Sequence, residues 1–163
     1  MLLRVARFIG LLFLALALGI GFSTLVGGGA RPDLSGTSFL KMQQVLYQDI
    51  GRIMGLVEPI ALVAVLLSLL SVFRRKPFFI MTLISLICIA VMIGMRILVI
   101  QPLHLEITSW SAEDIPGTWM FTRNRYYLFT AVRVALAIIG FCSFTLSVLF
   151  DTHPYRVLNK GSQ

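Results

Sequence analysis

Four apolar runs, each long enough to cross a lipid bilayer, constrain this chain more than any other feature. They cover residues 5–26, 53–73, 78–100 and 126–150. At 1.5 Å per residue, about 20 helical residues traverse the ~30 Å hydrocarbon layer. A helical hairpin buried in a water-soluble fold would not repeat this length four times. Composition agrees: 58% of the 163 residues are hydrophobic and 13% charged, where a soluble domain carries about 25% charged residues. Soluble, disordered and nucleic-acid-binding chains are therefore excluded. The expectation is one all-α domain over residues 1–163, a polytopic membrane four-helix bundle with membrane lipids as its surroundings. A cleaved signal peptide competes for the first run, because Arg4 and Arg7 resemble its basic leader. The run is long for such a leader, and residues 25–30 make an ambiguous cleavage site, so a retained span is expected.

The net charge of +7 is distributed by topology. An even number of spans puts both chain ends and the 74–76 turn on one side. That side carries Arg4, Arg7, Arg74, Arg75, Lys76, Arg156 and Lys160 against Asp151 alone. The other side holds Arg31, Lys41, Arg52, Arg123 and Arg125, balanced by Asp33, Asp49, Glu106, Glu113 and Asp114. Basic residues near span ends favour the cytoplasm. Both termini are thus expected inside, in a bacterial cytoplasmic (inner) membrane, and both long connections outside. In the first connection, residues 38–48 read as an interfacial helix with Phe39, Met42, Val45 and Leu46 at helical spacing. The second carries Trp110, Trp119 and Phe121 as interfacial anchors.

Three charges lie inside the runs: Glu58, Arg96 and Arg133. An ionisable group there costs a few kcal/mol and normally faces the bundle interior or a partner. Their depths below the outer ends of their runs are about 8, 6 and 11 Å, so the three can meet. Two readings follow. One is an ion-paired staple across three helices. The other is an outward-opening pocket whose surplus arginine holds a carboxylate or enolate, suiting the fixed donor fork of a guanidinium. In the pocket reading Glu58 or His104 takes a proton as the catalytic base, Arg96 and Arg133 bind substrate, and Tyr126, Trp119 and Thr130 line the site. Tyr126, Thr130, Arg133 and Ala137 share one helical face. Ser23, Thr24, Gln48 and Arg52 lie at the same level. His104 also reads as a plain loop residue.

Other chemistries lack their ligands. His104 and His153 fall on opposite sides, so no bis-histidine haem forms within one chain. Cys88 and Cys142 have no close-spaced redox motif and read as packing residues. Gly27-Gly28-Gly29 lacks the lysine of a phosphate loop. Neither metal nor cofactor is expected. Gly10, Gly19, Gly21, Gly51, Gly55, Gly94 and Gly140 read chiefly as sites of close helix approach.

The chain also resembles the anthrone oxygenase-like family of small four-helix membrane proteins. The resemblance covers roughly residues 10–150 and is carried by several short stretches: Gly19-Ile20-Gly21-Phe22-Ser23; Glu58-Pro59, where the family often has Asn-Pro; Ile100-Gln101-Pro102-Leu103-His104; and the series Trp119, Arg123, Arg125, Tyr126, Arg133. Some fungal relatives are linked to cofactor-independent oxygenation of anthrones. The resemblance implies the fold, and an enolisable lipophilic ligand. One departure matters: the family usually has a histidine two residues before its final arginine, and this chain has Ala131. A proton acceptor would then have to be His104 or Glu58. The functional expectation is a protein that binds or converts a lipophilic anionic or enolisable small molecule. An accessory subunit of a larger membrane complex, or a homo-oligomer, is the alternative. A small proton-coupled transporter is the third, although such carriers place their acid in the first span.

Overall fold

The computed structural model describes residues 2–29, 35–45 and 47–151. The expectations placed on Arg31, Pro32, Asp33, Leu46, His153, Pro154, Arg156 and Lys160, and on the side chain of Gln48, lie outside the described residues. Among the described residues the chain is helical and has no strand. Its elements are α1 (Leu2–Thr24), α2 (Gly36–Val45), α3 (Tyr47–Ser71), α4 (Lys76–Met95), α5 (Gln101–Thr108) and α6 (Trp119–Phe150), with π-helical segments at Leu25–Gly29 and Arg96–Ile100. Four helical stretches are long and apolar enough to cross a membrane.

The helices outrun the apolar runs at the end of the bundle away from the 74–76 turn. α3 begins at Tyr47 and α6 at Trp119, both in polar sequence. The third run was expected to stop at Gln101-Pro102, but the helix continues to Thr108. Proline lacks an N–H and crowds the preceding turn. The π-helical turn immediately before it absorbs this conflict: the Gln101 N–H reaches back to the Arg96 carbonyl, five residues earlier. One extra residue per turn lets the helix pass through Pro102 instead of ending. In α3, Pro59 is likewise accommodated inside the helix.

The bundle follows from which faces are apolar. α1 packs on α3 and α6, and α4 packs on the same two, so the four long helices form a ring. Leu14, Ala61, Val65, Ile89 and Phe144, drawn from all four, meet in its centre. Close approach is possible where a glycine faces a neighbour. A Cβ on Gly10 would lie 2.7 Å from the Phe144 ring, and one on Gly140 would lie 3.2 Å from the Cys88 Cβ. The expectation that glycines serve packing holds at these two sites but not at Gly19, Gly51 or Gly94, whose surroundings are open. Cys88 is buried, whereas Cys142 is exposed and so is not the core packing residue it was read as.

The surface around the long helices is apolar, with Phe8, Val63, Leu70, Phe73, Leu128 and Leu149 all largely exposed. One end of the bundle is finished by a second cluster, in which Phe39 and Leu40 of α2 pack on Ile100, Leu103, Ile107, Tyr126 and Tyr127. The buried face of α2 is Phe39, Leu40 and Gln43. Of the expected Phe39–Met42–Val45 stripe only Phe39 is fully buried, and Val45 is the most exposed. α2 therefore covers the end of the bundle, with its polar Gln43 turned inwards.

Candidate functional site

Glu58, Arg96 and Arg133 converge from three helices. Glu58 sits one residue before Pro59 on the inner face of α3, and its side chain is only 1% exposed. Arg96 opens the π-helical turn and places Nε 2.8 Å from Glu58 Oε2. Arg133 projects from the middle of α6 and donates from its terminal amino group to Glu58 Oε1. Each carboxylate oxygen thus holds one arginine, so neither arginine is the spare one. A single negative charge is shared between two guanidinium groups, leaving the trio one positive charge in surplus. The arginine side chains are 20% and 11% exposed. Arg133 Nε is buried and has no partner among the described residues. A buried donor without an acceptor is costly and calls for an explanation.

The arginines form part of the wall of a cavity of about 530 Å³ at the α2-covered end of the ring. This lies within the range of small-molecule sites. Thr24 of α1, Met54 of α3, and Tyr126 and Thr130 of α6 complete the inner wall. A narrow apolar recess continues beneath it between Ala17, Met92, Val134 and Ala137. The face expected on α6 is thus assembled, polar above and small below. Glu58 itself is not part of the cavity wall. It stands behind the arginines with both oxygens engaged, which makes it their holder and leaves it without the open approach a proton acceptor needs.

His104 does line the cavity, from α5. Its Nδ1 lies 3.2 Å from Gln43 Oε1 of α2. An amide oxygen only accepts, so this contact puts the proton on Nδ1, and neutral His104 keeps a lone pair on Nε2. α2 is tied down further where Gln44 Nε2 approaches the carbonyls of Thr108 and Trp110, each at 3.4 Å. Gln44 forms part of the roof. Trp119 stays apart from the site. It stacks near Phe39 with ring centroids 6.1 Å apart, and Arg123 lies 5.4 Å over its ring. It lies two turns above Tyr126 on the same face, but α2 occupies that level and takes up the ring. Of the polar residues expected at this depth, Thr24 and Arg52 join the wall and Ser23 remains exposed.

Sequence reasoning missed several contributors, Met54 and Gln44 of the cavity wall among them. Gln43 was hidden in a segment read for its apolar residues. Gly21 and Gly51 were read as packing contacts, yet both line the cavity, and an added Cβ on Gly51 would meet nothing within 4 Å. Arg7, Arg75 and Asp151 were counted as charges of the cytoplasmic rim. They form a second trio, in which Arg7 binds one Asp151 oxygen and Arg75 the other. Burial alone would raise the Asp151 carboxyl, but the hydrogen bonds and charges of Arg7 and Arg75 outweigh it and hold it below its ordinary 3.8. The signal was available: Asp151 is the lone acid among seven basic residues on its side. Among the described residues no group of histidine, cysteine and carboxylate side chains could hold a metal ion.

Compared with protein-family models, with curated proteins and with solved structures, the chain matches none. The class defined by fold and site is a helical bundle with four membrane-length helices and an arginine-walled cavity at one end.

Proposed function

We propose that this chain is a multi-pass protein of a bacterial inner membrane, with both ends on the cytoplasmic side. Its outward-opening cavity binds, and with His104 as proton acceptor converts, a lipophilic anionic or enolisable small molecule. The apolar exterior supports insertion, because a face of Phe, Leu and Val of this extent is stable only against lipid or a partner. Spacing supports it too. Between Arg133 and Asp151 the last helix rises about 27 Å, close to the ~30 Å hydrocarbon thickness. The two charged trios would then mark the two boundaries. The short basic turn at Arg74, Arg75 and Lys76 supports the orientation.

One observation carries the ligand reading: two arginines are held on one buried glutamate, at the wall of a cavity large enough for a ligand. An anion placed there would meet preorganised donors with a surplus positive charge. In such a water-poor site their attraction exceeds what the same groups achieve in water. For an enolisable ligand, the arginines stabilise the developing oxyanion while His104 Nε2 accepts the carbon-bound proton.

The test is to purify the wild type, Arg96→Gln and Arg133→Gln in mild detergent and identify small molecules released on denaturation. The expected result is an anionic lipophile in the wild type, depleted about tenfold or more in both variants. If both variants keep wild-type helicity and the same bound molecules, the ligand reading is overturned and the accessory-subunit reading takes its place.

A further inference from the structure

The cavity reaches the molecular surface. Its exposed wall residues are Gln44 on α2, Gly51 and Arg52 on α3, and Gln101 and Leu105 on α5. α3 packs on α1, α2 and α4 and meets the π-helical turn through the Arg96–Glu58 ion pair, and above that pair the cavity wall is made of exposed residues of α3 and α5. A cleft therefore runs between the first turns of α3 and the far end of the α4–α5 helix. Arg96 lies at its inner end and Gln44 of α2 at its roof. Two features hold it open. Gly51 contributes no side chain at a position where nothing lies within 4 Å. Gly55, one turn lower, presents only backbone beside Arg96, with 3.9 Å from its would-be Cβ to the arginine amino group.

Side chains four residues apart stack along one face of a helix. Leu56, one turn beyond Arg52 on α3, and Ile97, one turn before Gln101, are exposed apolar side chains outside the cavity wall. Polar residues thus line the opening, and apolar ones lie on the surface beside it. If the helices cross the bilayer as proposed, this cleft faces the outer leaflet at the depth where headgroup gives way to hydrocarbon.

We infer that the ligand of this cavity is a single-chain lipophilic monoanion that enters sideways from the outer leaflet through the α3–α5 cleft. Its charged head rests on Arg96 and Arg133, and its chain lies between Leu56 and Ile97. This inference rests on the pocket reading above. The charge of the head follows from the trio's surplus of one, which a monoanion neutralises and a dianion would overshoot inside a low-dielectric wall. The unpartnered Nε of Arg133 supplies a donor still to be used. The lateral route follows from geometry. A molecule dissolved in the bilayer arrives at this depth with its chain already in hydrocarbon, so binding leaves that chain unmoved and only the head is transferred.

The test uses the whole protein in phosphatidylcholine vesicles with a photoreactive palmitate analogue, its diazirine a few carbons from the carboxyl group, and with the methyl ester of the same probe. Labelling by the acid is expected on residues 52–56 and 97–105, exceeding labelling by the ester about tenfold. Gly51→Trp, or Gly51→Leu if the larger ring is not accommodated, is expected to reduce it by a similar factor with helicity unchanged. Equal labelling by acid and ester, labels on other helices, or labelling indifferent to the Gly51 substitutions overturns the inference. Benzoate, short and water-soluble, separates this failure from failure of the pocket. Benzoate binding that depends on Arg133, without cleft labelling, leaves the pocket standing and removes the lateral route. Loss of both removes both.

Discussion

The two ends of the bundle carry the same ionic device and use it differently. At one end Asp151 holds Arg7 and Arg75; at the other Glu58 holds Arg96 and Arg133. Each trio joins three segments distant in sequence, and each has one surplus positive charge. The Asp151 trio sits where α3 and α4 are joined by a turn of a few residues, with Val72 buried beneath it. Helices tied so closely must converge, and the charges close over packed side chains. The Glu58 trio sits where two long connections and a π-helical turn let the helices part. The same pairing then borders a cavity. An acid with two arginines is thus a staple or a binding wall according to whether the neighbouring helices are forced together.

The sharpest way to break this comparison is to remove each acid. Glu58→Gln leaves two guanidinium groups facing each other inside the bundle. It should cost about 3–5 kcal/mol, the penalty for an uncompensated buried charge, seen as a large fall in the unfolding temperature in detergent. Asp151→Asn should cost less, about 1–2 kcal/mol, because Arg75 is 34% exposed and can swing towards water. Equal costs would mean the two ends are energetically alike.

Ligand retention should divide the trios more cleanly than stability does. Arg133→Gln should lower retention of a bound anionic lipophile about tenfold, whereas Arg75→Gln should leave it unchanged, both read by mass spectrometry of denatured protein. Loss in both variants would point to a shared structural effect.

Acidity distinguishes them as well. Because the Asp151 carboxyl titrates below its ordinary 3.8 in the folded protein, its stabilisation is complete above that value. It disappears as pH falls through the lower folded value. The difference in unfolding temperature between wild type and Asp151→Asn should therefore be constant near neutrality and shrink below about pH 4. A difference that persists in stronger acid would show that Asp151 stabilises by packing.

The smallest effects concern glycines. Gly10→Ala presses on the Phe144 ring, and the strain should outweigh the alanine helix preference of about 1 kcal/mol. Gly51→Ala meets open space and should stabilise by about 0.5–1 kcal/mol. Matched unfolding curves for the two variants would show that the packed and hollow halves do not differ.

Much of the outer trio was legible in advance. Counting residues from the ends of the apolar runs puts Glu58, Arg96 and Arg133 at one depth, because a helix converts sequence number directly into height. The α6 face from Tyr126 to Ala137 follows from the same periodicity. Trp119 shows where such counting stops. It shares that face, yet α2, an element far away in sequence, takes its ring. The Asp151 trio was missed for a related reason: charges near span ends satisfy a topology count equally well whether solvated or paired.

Sequence by itself determined the helical class, the four membrane-length segments and the heights of their charged residues. These depend on apolar run length and helix pitch, which are local quantities. Tertiary structure alone decided that both arginines share Glu58, that His104 meets Gln43, and that a cavity borders the Glu58 trio. Those outcomes depend on helix rotation, on the register slip before Pro102 and on how closely neighbouring helices are tied. They arise from packing among distant segments, and no local stretch of sequence encodes them.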